Sequence, residues 1–406
     1  MARRVVLVVG GGVGGVVCAN ALRRFLPDSD RVVVVDRRRE HVFAPSLLWV
    51  MVGWRRPEQI TRSVRDLLQP GVEFVQGEVE EINPGRRAVR VGGTEWSYDA
   101  LVVALGADLA PEGLPGFTEA ACNFFQLEGA SGLCQELGRF RGGRVVVLVS
   151  GTPYKCPAAP YEAALLLQDA LRRRGLRGRS QVEVITPEPQ PMPVAGPAMG
   201  RAVVELLRRN GVGFQPNRQV LRIDPEAREL VFADGGREPF DLLAAVPPHR
   251  PPGPVRASPL ANEAGWIPVD KYTLRTRWER VYALGDATTI VLANGKPLPK
   301  AGVFAHAQAE VVAARIAAEL HAAAPREEFS GAGYCWIEMG GGQAAFATGQ
   351  FYAEPEPVVP PPRVGRVWHL GKVLFERYWL GGGVSRAAAR FALLAAAKLL
   401  GVPASL

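Results

Sequence analysis

The sequence of 406 residues lacks any long apolar run. No segment approaches the about 20 unbroken apolar residues that an α-helix needs to cross a bilayer, although hydrophobic residues make up 48% of the chain. We therefore expect any membrane contact to be peripheral. A chain of this length exceeds one ordinary core, so it predicts two or three domains.

The sequence also lacks a concentrated basic region with interleaved aromatic residues. Its formal net charge is +8, but the arginines are spread through predicted helix ends such as LRRRGLRGR. We therefore expect no nucleic-acid binding. An excess of positive charge is better suited to an anionic membrane face or an acidic partner.

Only five cysteines are present, and none forms a CxxC pair or a spacing typical of metal ligands. We therefore expect no bound metal. In a reducing compartment an isolated cysteine is usually an inert core residue. We expect Cys18, Cys122 and Cys134 to be such packing residues, whereas the surroundings of Cys156 and Cys335 predict chemistry.

The first 25 residues are typical of a strand, a glycine-rich turn and a helix. The apolar run RVVLVV precedes a turn that contains Gly10, Gly12, Gly14 and Gly15. In this GxGxxG pattern, Gly10 permits the tight turn, Gly12 lets the backbone approach a pyrophosphate, and Gly15 permits close helix packing. The helix N-terminus supplies N–H donors and a positive dipole end. The pattern predicts a dinucleotide site.

A second strand, RVVVVD, ends on Asp36. An acidic residue about 20 residues beyond the last glycine is placed to accept hydrogen bonds from the adenosine ribose hydroxyls. We add Arg37 and Val79 as further candidate contacts of this nucleotide. The basic and apolar N-terminus superficially resembles a signal peptide, but its removal would destroy the nucleotide site. We therefore expect a cytoplasmic protein.

Two later stretches indicate which dinucleotide is bound. DALVVALGA ends a predicted strand at a turn that contains Ala104 and Gly106, and VYALGDAT places Asp286 directly after Gly285. Together with the glycine turn, these motifs resemble the pyridine nucleotide-disulfide oxidoreductase superfamily, which are flavoproteins with two dinucleotide-binding domains. The resemblance implies FAD, with Asp286 at its ribityl and pyrophosphate region and the ALGA turn near the cofactor.

The same resemblance implies an α/β fold of two Rossmann-like dinucleotide-binding domains, the second inserted in the first, plus a C-terminal region with an amphipathic helix. The expected division is a first part of the FAD-binding domain over 1–110, a second Rossmann-like domain over 111–245, a second part of the FAD-binding domain over 246–325, and a C-terminal domain over 326–406.

The second domain keeps the expected strand and helix but not the glycine turn. The strand is predicted over 144–149 and the helix over 158–174, with GTPYKCPAAP at their junction. Proline has no N–H, so this turn lacks donors that a pyrophosphate needs, which disfavours NADH as the electron donor. Cys156 stands there instead, beside Lys155. The helix dipole and the ammonium predict a thiolate at Cys156.

The run KCPAAPYE is similar to the cysteine motif of sulfide:quinone oxidoreductases and of the flavoprotein subunit of flavocytochrome c sulfide dehydrogenase. The resemblance implies that Cys156 pairs with Cys335, in GAGYCWIEMGGG, and that the pair takes up sulfide sulfur against the flavin. It also implies Glu162 as a proton carrier, with a surface helix glutamate as the alternative. Similarity continues through FFQLEGASGL, LPKAGVFAHAQAEVVAARI and LFERYWLGG, so it covers nearly the whole chain.

The chain departs from this family at one point. Many sulfide:quinone oxidoreductases carry a third cysteine near the position of Phe125 and a histidine at that of Gly129. The two-cysteine pattern is more similar to the flavocytochrome c subunit or to an uncharacterised sulfide-reductase-like branch.

The acceptor side is predicted around Lys300, which precedes a helix over 302–320. In the superfamily this helix N-terminus points at the flavin pyrimidine oxygen, where a positive dipole end stabilises the reduced flavin anion. Lys300 is therefore either a cofactor contact that also assists a quinone, or a solvated loop residue.

The C-terminal stretch SRAAARFALLAAAKLLGV predicts an amphipathic helix that is capped by Ser385. Its apolar face suits a membrane interface, with Arg386, Arg390 and Lys398 toward the head groups. A dimer contact or a lid over the FAD domain is the alternative.

These observations lead to one leading hypothesis. It is a FAD-dependent oxidoreductase, peripheral on the inner face of the cell membrane, that oxidises sulfide or a small thiol or persulfide through Cys156 and Cys335 and passes the electrons to quinone. The alternatives are a type II NADH:quinone dehydrogenase and a flavin subunit that passes electrons to a cytochrome partner. A homodimer also remains open.

Overall fold

The computed structural model describes residues 4–324 and 327–402. Its helices are α1 (Val13–Phe25), α2 (Leu47–Met51), α3 (Val64–Leu67), α4 (Phe117–Ala120), α5 (Leu127–Arg139), α6 (Ala159–Arg173), α7 (Gly196–Arg209), α8 (Gly253–Arg256), α9 (Gly302–Leu320), α10 (Arg366–Leu380) and α11 (Gly383–Leu400).

Most strands are short, and several have only two or three residues. They are β1 (Val5–Val9), β2 (Arg31–Asp36), β3 (Glu40–Val42), β4 (Thr61–Ser63), β5 (Val72–Gln76), β6 (Val79–Asn83), β7 (Ala88–Val91), β8 (Thr94–Ser97), β9 (Ala100–Val103), β10 (Asp108–Leu109), β11 (Cys122–Asn123), β12 (Gly143–Val149), β13 (Ser180–Ile185), β14 (Val212–Gln215), β15 (Val220–Asp224), β16 (Glu229–Phe232), β17 (Arg237–Pro239), β18 (Leu242–Val246), β19 (His249–Arg250), β20 (Ile267–Pro268), β21 (Val281–Ala283), β22 (Thr288–Thr289), β23 (Ala332–Gly340), β24 (Gln343–Gln350) and β25 (Arg363–Gly365).

Five parallel strands form the sheet of the first domain, in the order β21-β9-β1-β2-β5. The central strands are runs of Val, Leu and Ala that are buried on both faces, as is typical of a parallel sheet. Helices α1 and α9 cover one face, and the small antiparallel sheet β6-β7-β8 covers the other. The glycine turn between β1 and α1 therefore lies at the carboxyl edge of a central strand, where such sheets bind ligands.

The second domain repeats this plan. Its parallel strands run in the order β11-β18-β12-β13-β14, with β12 in the middle. Helices α5, α6 and α7 pack on one face and the sheet β15-β16-β17 on the other. The loop of residues 150–158, which we name the cysteine loop, joins β12 to α6 at the position of the glycine turn in the first domain.

The chain leaves the first sheet after β9 and returns at β21, which pairs with β9. The second sheet lies between these strands in sequence, so the predicted α/β fold with one Rossmann-like unit inserted in the other is confirmed. The two linkers pair as β10 and β19 beside the predicted limits at 110 and 246. The limit at 325 lies outside the described residues, and the exact division into domains stays a prediction.

The C-terminal region consists of the antiparallel sheet β23-β24-β25 followed by α10 and α11, which pack against each other. The predicted helix is present as α11, but the predicted cap is wrong. The N-cap is Gly382, and Ser385 lies within the first turn, where its N–H donates to the Gly382 carbonyl. Among the described residues, none of the helices has the length and apolarity that crossing a membrane requires.

Candidate active site

The glycine turn is shaped by close backbone contacts on one side and open space on the other. A Cβ atom on Gly10 would lie 2.3 Å from the Ala104 oxygen, and one on Gly15 would lie 1.8 Å from the Gly10 oxygen. A Cβ atom on Gly14 would lie 2.3 Å from Leu284 Cδ1. At Gly12, by contrast, no described atom lies within 4 Å of that position. This opening, at the N-terminus of α1, fits a pyrophosphate.

Asp36 lies at the end of β2, next to this turn. Its carboxylate accepts hydrogen bonds from the Gly11 N–H at 2.6 Å and from the Arg38 N–H at 2.8 Å. The neighbouring Arg37 forms an ion pair with Asp108 at 3.4 Å. The side chain of Val79 is buried at the start of β6. Their roles toward the nucleotide stay predictions.

Asp286 lies in a short 3₁₀ turn that follows β21. Among the described residues its Oδ1 is a buried oxygen atom without a hydrogen-bond partner. Burial raises the pKa of Asp286, and the charges of Lys155 and Lys300 oppose this effect. Because buried polar atoms are nearly always paired in a complete structure, this oxygen fits a ligand hydroxyl such as those of the FAD ribityl chain.

Lys300 is anchored inside the protein, not solvated in a loop. Its Nζ donates to the Asp286 carbonyl at 2.7 Å and to the Thr288 carbonyl at 3.0 Å, and it lies 3.5 Å from the centre of the Trp266 ring. Burial lowers the pKa of Lys300 to about 8, although the Asp286 charge acts in the opposite direction. The solvated-loop alternative is therefore wrong, while a role toward cofactor or quinone stays a prediction.

A cavity of about 820 Å³ connects the glycine turn with the second domain and the C-terminal region. This volume is in the range of cofactor and ligand sites, which is about 300–1,000 Å³. Of the predicted site residues, those on its wall are Gly12, Gly14, Ala104, Gly106, Cys156, Glu162, Gly285, Asp286, Lys300 and Cys335. The fold thus brings together the predicted cofactor residues and the predicted cysteine pair.

Cys156 and Cys335 approach this cavity from different elements. Cys156 lies in the cysteine loop with φ +54°, and its N–H donates to the Lys300 carbonyl at 2.7 Å. Cys335 lies in β23, and its thiol donates to the Trp336 carbonyl at 3.3 Å. Both are free thiols. Burial raises the pKa of Cys335, and the charge of Cys156 raises it further.

The predicted thiolate at Cys156 is wrong for this state of the site. The exposed surface of Cys156 faces the cavity and not the outside of the protein. Desolvation by the surrounding protein raises the pKa of its thiol to about 11, and the Glu162 charge raises it as well. The Lys372 ammonium and a hydrogen bond from the Ala159 N–H both lower this pKa, but they do not outweigh burial. Helix α6 also begins only at Ala159, which leaves Cys156 outside its first turn.

Glu162 is a buried residue in the first turn of α6, so the alternative of a surface glutamate is wrong. It accepts a hydrogen bond from Lys372 Nζ of α10. Burial raises the pKa of Glu162 to about 7, the Lys372 charge opposes this effect, and the charge of Glu338 adds to it. For Lys372, burial lowers the pKa, but the two carboxylates outweigh it and the net pKa is raised.

Sequence reasoning missed Lys372 and also His41. The sequence signal for Lys372 was the pair His369 and Lys372, three residues apart in an aromatic-rich stretch that forms α10. His41 Nε2 accepts a hydrogen bond from Trp379 Nε1 at 3.0 Å, so its proton is on Nδ1, which lies 3.1 Å from the Gly11 carbonyl. Helix α10 is thereby linked to the glycine turn.

Part of the cavity wall is aromatic. Phe43 contacts Phe375 and Trp379 there, with ring centres 5.8 and 6.1 Å apart. His306 of α9 lies 6.3 Å from the Trp379 ring and lines the same space. This part of the cavity suits a flat apolar molecule.

The two Rossmann-like units and the open glycine turn define a flavoprotein oxidoreductase. The chain belongs to the family of pyridine nucleotide-disulphide oxidoreductases, whose model matches residues 4–309. FAD is the cofactor, and the protein is a FAD-dependent oxidoreductase. The residues that would hold FAD are the glycine turn, Asp36 and Asp286.

Three comparisons show which flavoproteins of this family the chain resembles. The mitochondrial sulfide:quinone oxidoreductase of Mus musculus is 27% identical over 376 residues, which cover 87% of this chain and 80% of that protein. The sulfide-quinone reductase of Aquifex aeolicus is 27% identical over 403 residues, which cover 94% and 91%. The X-ray structure of sulfide:quinone oxidoreductase from Aquifex aeolicus has a TM-score of 0.81 at 25% identity, covering 93% of this chain and 90% of that chain. The predicted resemblance to this family is confirmed.

Proposed function

We propose that the protein oxidises sulfide, or a small persulfide or thiol, through Cys156 and Cys335 and passes the electrons to a quinone. The observation that carries the proposal is that two cysteines from distant parts of the chain line one cavity together with the buried Glu162. The same cavity reaches the open glycine turn. Relatives that are named for sulfide and quinone, at similar length, support the same substrate pair.

In the proposed reaction, hydrosulfide attacks a disulfide between Cys156 and Cys335. One sulfur–sulfur bond forms and one breaks, which leaves a persulfide on one cysteine and a thiolate on the other. Glu162 exchanges protons with these sulfur atoms, because its pKa of about 7 allows it both to donate and to accept near neutral pH. FAD, when bound, takes the electron pair from the sulfur and delivers it to the quinone.

The quinone would enter the aromatic part of the cavity that Phe43, Phe375 and Trp379 form. Helix α10, which carries two of these residues, packs against α11. Phe391 and Leu399 of α11 are 76% and 87% exposed, and the helix contains basic but no acidic residues. We propose that α11 lies on an anionic membrane surface, where quinone is available.

The alternative of a type II NADH dehydrogenase is opposed by the cysteine loop. The N–H of Cys156 is already donated to Lys300, and Pro153 and Pro157 have no N–H. The loop thus offers few donors to the pyrophosphate of a nicotinamide dinucleotide. We therefore propose sulfide as the donor in preference to NADH.

The test is anaerobic flavin absorbance of the purified holoprotein after addition of sulfide or NADH, followed by a short-chain quinone. We expect sulfide to bleach the flavin and quinone to restore it. Cys156→Ser is expected to slow bleaching at least about 10³-fold, the order of effect when an enzyme loses its nucleophile. Cys134→Ser, which changes a half-buried cysteine of α5, is the matched control and is expected to react as wild type.

Each contrary result identifies a different error. Bleaching by NADH alone would support the type II dehydrogenase. Bleaching by sulfide without reoxidation by quinone would support a flavin subunit for a cytochrome. Full sulfide-driven bleaching in Cys156→Ser would remove the cysteine pair from the reaction.

A further inference from the structure

A buried carboxylate that the proposed reaction does not use lies beside the cysteine loop. Glu188 follows the end of β13 by three residues and is buried. Its Oε2 accepts hydrogen bonds from the hydroxyls of Tyr154 at 2.8 Å and Tyr161 at 3.2 Å, and both tyrosines are buried as well. The Thr186 hydroxyl donates to the same oxygen at 3.4 Å. One carboxylate oxygen thus joins the cysteine loop and α6 to the segment that follows β13.

The two tyrosines lie next to the two groups of the proposed sulfur chemistry. Tyr154 precedes Cys156 by two residues in the cysteine loop, and Tyr161 directly precedes Glu162 in α6. A tyrosine hydroxyl is carried by a rigid ring, so a hydrogen bond to it restricts the backbone that carries the ring. Because both hydroxyls meet at Glu188, the contact restricts Cys156 and Glu162 together.

The backbone of Cys156 depends on contacts of this kind. Its φ of +54° is a left-handed conformation, which is unfavourable for a residue with a side chain and persists only where the surroundings hold it. The Lys300 carbonyl holds one peptide group by accepting the Cys156 N–H at 2.7 Å. The hydrogen bond from Tyr154 to Glu188 adds a side-chain anchor two residues earlier in the loop.

The location of Glu188 corresponds to a ribose-binding position. In a Rossmann-like unit, an acidic residue at the end of the second strand accepts hydrogen bonds from ribose hydroxyls, and Asp36 has this position in the first domain. Glu188 lies near the corresponding end of β13, the neighbour of the central strand β12. Its Oε2, however, accepts from hydroxyls of the protein itself. This carboxylate therefore serves the cysteine loop where another Rossmann-like unit would serve a nucleotide.

We propose that Glu188 is a positioning residue for the cysteine pair, because it holds the hydroxyls of Tyr154 and Tyr161 and thereby keeps Cys156 where it can form a disulfide with Cys335. This inference rests on the proposed function, in which that disulfide reacts with hydrosulfide. Glu188 acts only through the two tyrosines and transfers neither electrons nor protons.

Burial keeps the donors and the acceptor in the forms that this role needs. Desolvation raises the pKa of Tyr154 and of Tyr161, and the Glu188 charge adds to both shifts, so the hydroxyls keep their protons and donate them. Burial also raises the pKa of Glu188, whereas the hydrogen bonds from the three hydroxyls lower it. A buried acceptor that lost its donors would be left unpaired, which is more costly than the net gain from the hydrogen bond itself.

The quantity that such a residue changes is the equilibrium of disulfide formation. In exchange with oxidised dithiothreitol, the two cysteine thiols of the protein form one S–S bond and the S–S bond of the reagent breaks. Two electrons and two protons pass to the reagent, which becomes the dithiol. The equilibrium constant depends on how well the folded protein holds the two sulfur atoms for reaction.

The test compares Tyr154→Phe with Tyr282→Phe in the holoprotein. Tyr282 of β21 is the matched control, because it is equally buried and its hydroxyl donates to Glu319 of α9, away from the cavity wall. Anaerobic samples are equilibrated with mixtures of oxidised and reduced dithiothreitol. Alkylation and peptide mapping then give the fraction with a Cys156–Cys335 disulfide, and absorbance confirms that the flavin is in the same redox state in all samples.

We expect the equilibrium constant for disulfide formation to be at least about 10-fold lower in Tyr154→Phe than in wild type, because misplacement of a reacting group by about 1 Å can cost about 10²-fold. The limiting rate of flavin bleaching at saturating sulfide is expected to fall in parallel, with little change in the half-saturating sulfide concentration. Glu188→Leu is expected to show at least the same defect. Glu188→Gln, whose amide oxygen can still accept from Tyr154, is expected to recover most of the wild-type equilibrium constant.

An unchanged equilibrium constant in both Tyr154→Phe and Glu188→Leu would overturn the proposal, even if their melting temperatures fell, because the contact would then serve only the fold. An equal loss in Tyr282→Phe would also overturn it, since the effect would not be specific to the cysteine loop. If Glu188→Leu does not fold, Tyr154→Phe and Glu188→Gln decide the question by the same criterion. Failure of the proposed function has a different result, because wild type itself would then form no Cys156–Cys335 disulfide or show no bleaching by sulfide.

Discussion

At the scale of single residues, burial outweighs nearby charge at the cysteine pair. Because the pKa of the Cys156 thiol is about 11, its thiolate is a strong base and therefore a poor leaving group from a disulfide. Glu162, with a pKa of about 7, is able to supply the proton that makes Cys156 a better leaving group. The same carboxylate is then ready to accept a proton from the sulfur that has been oxidised.

The raised pKa of Glu162 predicts a pH dependence with a definite sign. Below about pH 7 the carboxyl is mostly protonated and can supply the proton that the leaving Cys156 sulfur needs, whereas above it this proton is absent. We expect the ratio of sulfide-driven flavin reduction in wild type to that in Glu162→Gln to be about 10² at low pH and to fall through pH 7. Taking the ratio at each pH removes the titration of sulfide itself.

Stopped-flow absorbance between pH 5.5 and 8.5, on the order of 1.5 units either side of the Glu162 pKa, measures this ratio. Glu183→Gln, which changes another buried glutamate on β13, is the control and is expected to give a ratio near one throughout. A ratio that is independent of pH would show that Glu162 transfers no proton in this reaction.

At the scale of elements, the turn between β1 and α1 contains glycines with two different functions. Gly10 and Gly15 are required by the fold, whereas Gly12 leaves space for the ligand. Gly10 lies against the Ala104 carbonyl of the turn that follows β9, and Gly15 lies against the Gly10 carbonyl, while Gly12 faces open space. A side chain at Gly12 would thus meet a bound cofactor and nothing else in the described protein. This difference agrees with the separate roles that the GxGxxG pattern assigns to the three positions.

Gly12→Ala is expected to weaken FAD binding by at least about 10-fold, the equivalent of about 1.4 kcal/mol, because its methyl group occupies the space for the pyrophosphate. The free energy of unfolding of the flavin-free protein should fall by less than about 1 kcal/mol, since Gly12 is only an N-cap with extended backbone. Fluorescence titration with FAD and urea unfolding of the flavin-free protein measure the two quantities.

Gly132→Ala, within α5 and equally free of close atoms, is the control for a methyl group on an open helix. It is expected to leave FAD binding unchanged and to stabilise the protein by about 0.5–1 kcal/mol. If Gly12→Ala bound FAD as tightly as wild type, the pyrophosphate would have to lie elsewhere.

The sequence predicted correctly those strands and helices that neighbouring residues alone determine. The strand and helix around the glycine turn and the helix over 302–320 follow from apolar periodicity and small-residue turns, and the structure confirms them. The Glu162–Lys372 contact joins residues 210 positions apart, and no local rule relates them. The thiolate prediction at Cys156 was wrong for a similar reason, because desolvation depends on the whole cavity and the prediction used only sequence neighbours.

At the scale of the whole molecule, exposed apolar side chains are concentrated on the C-terminal helices. Val384, Phe391 and Leu399 of α11 and Leu370 of α10 are all more than half exposed. Such a patch marks an interaction surface, and the basic side chains of α11 suit an anionic partner. One of these two helices, α10, also supplies Phe375 and Trp379 to the aromatic part of the cavity.

The double change Phe391→Ser and Leu399→Ser is expected to lower binding to anionic phospholipid vesicles at least about 10-fold, since burial of each side chain is worth about 1.5–3 kcal/mol. Sedimentation with vesicles measures the binding. Bleaching of the flavin by sulfide in solution should be unchanged, because neither residue lines the cavity.

Leu221→Ser is the matched control, since Leu221 is 56% exposed on β15 of the second domain. Its vesicle binding is expected to equal that of wild type. If the double variant bound vesicles as well as wild type does, the result would contradict a membrane role of α11. It would support the alternatives, in which α11 forms a dimer contact or a lid over the FAD domain.

The hydrogen bond between Cys156 and Lys300 has a consequence for protein engineering. Cys156 holds a left-handed backbone conformation that is unfavourable for a residue with a side chain, and its peptide group is fixed by a carbonyl from a separate segment of the chain. Grafting the eight-residue motif KCPAAPYE into an NADH-dependent homologue would therefore introduce the cysteine without the Lys300 carbonyl that holds its backbone in place. A successful conversion would need the segment around Cys156 and the segment around Lys300 to be exchanged together.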